Sequence, residues 1–190
     1  MNEFSRYPFT FAVILINAAV YIAETQAGGS ENTQVALKYG AQYPPRLKKG
    51  EYWRLFTAMF VHFGMMHILC NMYSLYNLGP SLERMLGSVR FGILYLVSGL
   101  AGNLLTAYID ERKGKNRISA GASGCIFGLM GAWLVIALLP GMGRYISRRG
   151  ILLTLAVNLY YGYRVRGINL AAHAGGLAAG IVMTLLLLRF

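Results

Sequence analysis

Carboxylates are scarce in this chain: seven Asp and Glu stand against 18 Lys and Arg in 190 residues, a formal net charge of +11. The seven are Glu3, Glu24, Glu31, Glu51, Glu83, Asp110 and Glu111, in loops or at the ends of apolar runs. No acid is therefore placed to orient a base between membrane segments. A cationic surplus suggests a nucleic-acid partner, but these cations are confined to short gaps between apolar runs. Loops near lipid headgroups explain that placement, and no nucleic-acid partner is expected. Cysteine is almost absent as well. Cys70 and Cys125 lie inside apolar runs, where a thiol packs as a small hydrophobe, so neither a disulfide nor a metal site is expected, and nothing calls for a cofactor. Charged residues make up only 13% of the chain, whereas 56% are hydrophobic and the mean hydropathy is +0.46. That balance lies beyond soluble globular domains and indicates an all-α membrane protein.

Six apolar segments, at about 9–24, 55–78, 89–108, 119–139, 151–163 and 169–188, read as membrane helices of one domain spanning 1–190, with no internal repeat. The first has the length of a signal peptide's apolar core, with Thr25-Gln26-Ala27 as a cleavage site. More membrane segments follow, so it is read as a retained helix. Residues 26–54 are polar, contain Gly28-Gly29, Pro44-Pro45 and Lys48-Lys49-Gly50, and cannot span a bilayer. A connection this long is expected to be functional or semi-structured. It closes on Glu51-Tyr52-Trp53-Arg54, an aromatic beside a cation, as in interfacial anchors. Gly79-Pro80 is expected to end the second helix, with Glu83-Arg84 in the turn beyond. The fifth segment, about 13 residues or about 20 Å, is short against a hydrocarbon core of about 30 Å. It is expected to tilt or sit loosely, with Tyr160, Tyr161 and Tyr163 at the interface.

Polar residues inside these segments carry the chemical information. Ser123 is flanked by Gly121 and Gly124, which strip bulk from around its hydroxyl. His67 and Asn71, four apart, share one helix face at about 6 Å, and His62 is displaced around the same segment. His173 lies in Asn169-Leu-Ala-Ala-His-Ala-Gly-Gly176. Each of these alone is explained by helix packing or interhelical hydrogen bonding. Their distribution is harder to explain so. In an alternating six-helix bundle the second, fourth and sixth helices start on the same side, and all three sites lie in the first halves of those helices. Ser123 is six residues past Arg117 and His173 seven past Arg166, a depth of about 10 Å below one interface. A serine hydroxyl needs a base, and neutral imidazole is the usual one. A Ser123/His173 dyad is the simplest arrangement, with His67, Asn71 and the Ser123 backbone N–H as oxyanion donors.

In these residues the chain resembles the rhomboid intramembrane serine proteases. The likeness runs from Trp53-Arg54 through His62, His67-Ile-Leu-Cys-Asn71 and Gly121-Ala-Ser123-Gly124 to His173 with Gly176 and Gly180. It implies a rhomboid-like bundle of six transmembrane helices with a long interfacial first loop. Ser123 would be the nucleophile, His173 the general base, His67 and Asn71 oxyanion-hole donors, and His62 structural, near the mouth of the site. The fifth helix would gate a substrate that is a single-spanning membrane protein, cut in or near its membrane segment. The chain departs from the family in carrying Phe127, rather than tyrosine, under the histidine ring, and in the Glu83-Arg84-Met85 turn. Charge and family disagree on orientation. Seven of the 18 cations fall on the family's cytoplasmic side and 11 opposite, which by the positive-inside rule would invert the protein. The family's arrangement is adopted, because five of the 11 lie in the first loop. That gives a multi-pass protein of the plasma (inner) membrane, its site opening to the extracytoplasmic side; the oligomeric state is not legible. Two other classes are a non-proteolytic rhomboid-like adaptor and a small transporter. The adaptor typically lacks the serine or histidine, and the transporter wants an acid buried beside its histidines.

Overall fold

The computed structural model describes residues 3–141, 147–164 and 167–188. Arg166, from which the depth of His173 is counted, lies outside the described residues, as do Arg144 and Arg189, two of the seven cations on the family's cytoplasmic side, and the side chain of Tyr161. Ten helices occur among the described residues: α1 Glu3–Arg6, α2 Pro8–Gln26, α3 Thr33–Tyr39, α4 Pro44–Leu47, α5 Arg54–Thr57, α6 Met65–Leu86, α7 Ser88–Arg112, α8 Ser123–Leu138, α9 Arg148–Arg164 and α10 Leu170–Leu187. By length and composition α2, α7 and α10 are able to cross a membrane, and α8 is a shorter apolar helix.

The second apolar segment differs from its expected 55–78. Residues 58–64 are irregular, and α6 starts only after Gly64, whose φ of +81° is outside the helical range. Nor does Pro80 end it. A proline inside a helix costs about 3 kcal/mol, yet α6 continues to Leu86 because its last turns are held from outside. Gly79 abuts Thr10: a Cβ there would lie 2.8 Å from both Cγ2 and Oγ1. One turn on, the buried Glu83 carboxylate accepts from Phe9 N (2.9 Å), Thr10 N (2.9 Å), Thr10 Oγ1 (2.6 Å) and Ser88 Oγ (2.6 Å). Glu83 is thus a helical residue bracing the entry of α2, not part of a turn.

The fourth helix starts at Ser123 rather than 119, because Ser119 is drawn into an antiparallel bridge with Gln42 and Gly121 has φ +122°. The fifth is longer than expected, 17 residues, and takes in Arg148 and Arg149, so the 16-residue α8 is the shorter of the two.

Small residues set the centre of the bundle. A Cβ on Gly175 would lie 2.9 Å from Ala101 O, and one on Gly102 would lie 2.5 Å from Ala172 O. On the other side of α10, Cβ atoms on Gly176 and Gly180 would run into the backbones of Gly124 and Gly128. Helix α10 is therefore wedged between α7 and α8 at backbone contact. The larger apolar core, including Leu75, Leu82, Phe91, Tyr95 and Leu129, lies among α6, α7 and α8.

The segment between α2 and α6 is built around Arg54. Its buried guanidinium donates to Leu37 O (2.7 Å) and Ala41 O (3.1 Å), pairs with Glu51 at 2.7 Å and lies 4.4 Å from the Trp53 ring centroid. Hydrogen bonds from Arg54 and Arg46 hold the Glu51 carboxyl below its ordinary value.

Candidate active site

The turn into α8 is fastened before the helix begins. Ser119 exchanges both backbone hydrogen bonds with Gln42 at 2.9 Å, and Gly121 N donates to Ala58 O at 2.8 Å. Ala122 N donates to His62 Nε2 at 3.4 Å. His62 must then carry its proton on Nδ1, which lies 3.2 Å from Phe60 O and donates to it. Buried His62 thus brackets two loops.

Ser123 is the first residue of α8, half-buried, and no side chain caps that helix. The first N–H groups of a helix have no intrahelical acceptor, so those of Ser123 and Gly124 remain for an anion. His67 and Asn71 face this turn from α6. A Cβ on Gly121 would lie 2.7 Å from His67 Nε2 and 3.7 Å from Asn71 Nδ2, so only glycine leaves room for them. Phe63 N donates to His67 Nδ1 at 3.3 Å, which puts the imidazole proton on Nε2, toward Gly121. Asn71 Nδ2 is buried with no protein partner. Two N–H donors, His67 Nε2 and Asn71 Nδ2, therefore lie against Gly121, two residues before Ser123 in the chain.

His173 reaches the same neighbourhood from α10. Its ring stacks on Phe127, centroids 4.0 Å apart and planes 13° from parallel. Phe127 is one turn beyond Ser123 on α8, so serine and imidazole share a face of that helix. The crossing holds them there: Gly124, next to the serine, lies against Ala172 and Gly176, which bracket the histidine. His173 Nδ1 is buried without a protein partner, and no carboxylate orients it. Gly162 of α9 also lies beside it, where a Cβ would be 3.7 Å from Nδ1. Elsewhere on the bundle α6, α8 and α9 line an open cavity of about 390 Å³, with Leu78, Met130, Trp133, Ile151 and Leu155 beside the polar Asn77 and Thr154.

One expectation needs correction. Buried acids do occur: Glu24, Glu83 and Asp110 are all inaccessible. Glu24 Oε2 accepts from His62 N at 3.2 Å, so a carboxylate lies beside that histidine, bonded to its backbone rather than its ring. Sequence reasoning also passed over the polar face of α7. Asn103 and Thr106 recur at helical spacing inside the third apolar segment and Asp110 follows one turn on, just past its expected end, a pattern that was available. Asn103 Nδ2 donates to Leu55 O (2.8 Å) and Gln42 Nε2 to Asn103 O (3.1 Å), tying the first-loop segment to α7. No cluster of three or more His, Cys, Asp or Glu able to hold a metal occurs among the described residues.

Known proteins share sequence with this chain over most of its length. The model of the rhomboid domain matches residues 49–190. Rhomboid protease GluP of Bacillus subtilis (strain 168) is 34% identical over 174 residues, 90% of this chain and 33% of its own. RHOMBOID-like protein 1 of Arabidopsis thaliana is 43% identical over 139 residues, 71% of this chain and 34% of its own. The rhomboid YdcA of Bacillus subtilis (strain 168) is 38% identical over 139 residues, 72% of this chain and 68% of its own. The chain thus spans about a third of the first two relatives and two thirds of YdcA. With a helical bundle of this composition and a domain match over most of its length, the chain is an integral membrane protein and belongs to the rhomboid family.

Proposed function

We propose that the protein is an intramembrane serine endopeptidase working through a Ser123/His173 dyad. The observation that carries this reading is the stack of His173 on Phe127, one helical turn from Ser123 on the same face of α8. The Ser123 Oγ–H bond gives its proton to the imidazole as oxygen attacks a peptide carbonyl carbon. The oxyanion that forms is met by His67 Nε2–H, Asn71 Nδ2–H and the Ser123 backbone N–H. Collapse of this intermediate breaks the C–N bond, and the imidazolium returns its proton to the leaving amine. Water then cleaves the acyl-serine by the same path. With no carboxylate on the imidazole, packing against Phe127 and Gly162 orients the ring.

Six helices, α2 and α6 to α10, serve as membrane spans, and residues 27–64 lie at the interface as a long first loop. The protein spans the plasma (inner) membrane with its N-terminus cytoplasmic and its site opening to the extracytoplasmic side. Its substrates are single-spanning membrane proteins, cut in or near the membrane segment. Such a segment needs a lateral entrance, and α9, which borders both His173 and the cavity between α6 and α8, is the element that would yield. The test is cleavage of a model transmembrane substrate by the purified protein in detergent, beside Ser123→Ala and His173→Ala. Cleavage in the wild type and in neither variant is expected. Cleavage persisting in both refutes the dyad, and none in the wild type favours a client-binding adaptor.

A further inference from the structure

We infer that Asn169 is a positioning residue that sets the spacing between the serine turn and the histidine helix, held in turn by Arg117 and Asp110; this rests on the proteolytic reading above. Asn169 is the N-cap of α10, its Oδ1 accepting from Ala172 N at 3.2 Å. Capping uses one acceptor, but this side chain does more. Oδ1 also accepts from Arg117 Nη2 at 3.0 Å, while Nδ2 donates to Thr106 Oγ1 at 2.9 Å and to Ser119 Oγ at 2.7 Å. Both acceptor sites and both donors of the amide are occupied, which only asparagine can do here. Thr106 Oγ1 is committed as a donor to Gly102 O at 2.9 Å and so is left to accept.

The partners lie where position matters. Ser119 is four residues before Ser123 and Asn169 four before His173, so their 2.7 Å bond joins the two catalytic segments at equal distances upstream. Ser119 is itself locked to Gln42 through the backbone. Arg117 Nε pairs with the buried Asp110 carboxylate at 2.8 Å, anchoring the hub to the end of α7. A helix cap alone needs none of the three bonds to other segments. Holding two reacting side chains in register does, because a misplacement of about 1 Å is enough to cost about a hundredfold in rate.

The test separates cap from spacer in the full chain, purified in detergent. Asn169→Ser retains a capping hydroxyl but is too short to reach Ser119 and Thr106; Asn169→Ala loses the cap as well. We measure the thermal midpoint, kcat and KM on a transmembrane substrate, and the rate at which a fluorophosphonate labels Ser123 per folded molecule. For Asn169→Ser the expected result is a midpoint near wild type, KM within about twofold, and kcat and labelling both lower by about ten- to a hundredfold. Wild-type kcat and labelling in that variant, or a loss that vanishes after correction for folded fraction, would overturn the inference and leave the dyad untouched. Should Asn169→Ser not fold, Ser119→Ala removes one acceptor while sparing the cap: slower labelling supports the spacer, unchanged labelling refutes it. A wild-type protein that neither labels nor cleaves brings down the proteolytic reading, and this inference with it.

Discussion

Gly121→Ala is the sharpest perturbation of the proposed oxyanion site, because it adds one methyl group at a position where two effects are separable. The backbone there has φ +122°, and the new Cβ would lie 2.7 Å from His67 Nε2 and 2.8 Å from Cε1. Forcing a non-glycine residue into that conformation costs about 1 to 3 kcal/mol of stability. Relieving the clash moves the imidazole by about 0.8 Å or more, since unbonded heavy atoms settle near 3.5 Å. That displacement takes an N–H donor off the oxyanion, and loss of one such donor lowers kcat by about a hundredfold or more. Gly29→Ala is the control: its φ is +103° but nothing lies within 4 Å of the new Cβ, so it carries backbone strain without the clash. Steady-state kinetics on a transmembrane substrate, normalised to folded protein, should give kcat down about a hundredfold for Gly121→Ala with KM little changed, and kcat unaltered for Gly29→Ala. Wild-type kcat in Gly121→Ala, or an equal loss in both variants, would refute an oxyanion role for His67.

Three further outcomes follow from the same geometry. Asn71→Ala should lose activity by up to about a hundredfold while retaining measurable cleavage, because His67 and the backbone donors remain; a loss as complete as in Ser123→Ala would make Asn71 structural. Activity should fall on acidification as His173 takes up a proton, since an imidazolium cannot accept one from serine. A pH–rate profile flat through the range where histidine becomes fully charged would contradict its role as base. The Glu51 carboxyl is held below its ordinary value of 4.5 by Arg54 and Arg46, so its stabilisation of the first-loop segment is fully present above that value and is lost as pH falls through the depressed one. Limited proteolysis of residues 43–54 should therefore accelerate only below pH 4.5 in the wild type, and already at neutral pH in Glu51→Gln; equal cleavage rates at neutral pH would sink that account.

Local chemistry explains which features were legible. Hydropathy located α2, α7 and α10, the helices long and apolar enough to cross a membrane, because burial in lipid acts on every residue of a span. Gly176 and Gly180 were visible only as part of the family likeness; that their partner is the backbone of α8 is decided by the helix crossing. Helix ends were less readable, because they are decided by partners far away in sequence. Pro80 is a helix-stop signal on its own, and it is overridden by Glu83, whose carboxylate binds residues more than 70 positions earlier. Ser123 read as lying inside a helix because Gly121 could serve packing or a positive φ equally well; the Gln42 bridge, the reason it is a turn, is non-local. Around the site, His62, His67 and His173 were visible as polar residues in apolar runs, whereas Glu24 looked like a helix end and is in fact buried against the His62 backbone. Asn169 read only as the start of a segment, since its four bonds reach α7, the serine loop and its own helix.

The most direct measurement is the site of covalent modification. Purified protein is treated with a fluorophosphonate and digested, and the adduct is mapped by mass spectrometry, in the wild type and in His173→Ala. A single adduct on Ser123, formed at least about a hundredfold more slowly without the imidazole, is the predicted result. An adduct on another serine, or one on Ser123 whose rate ignores residue 173, would contradict a hydroxyl activated by that histidine.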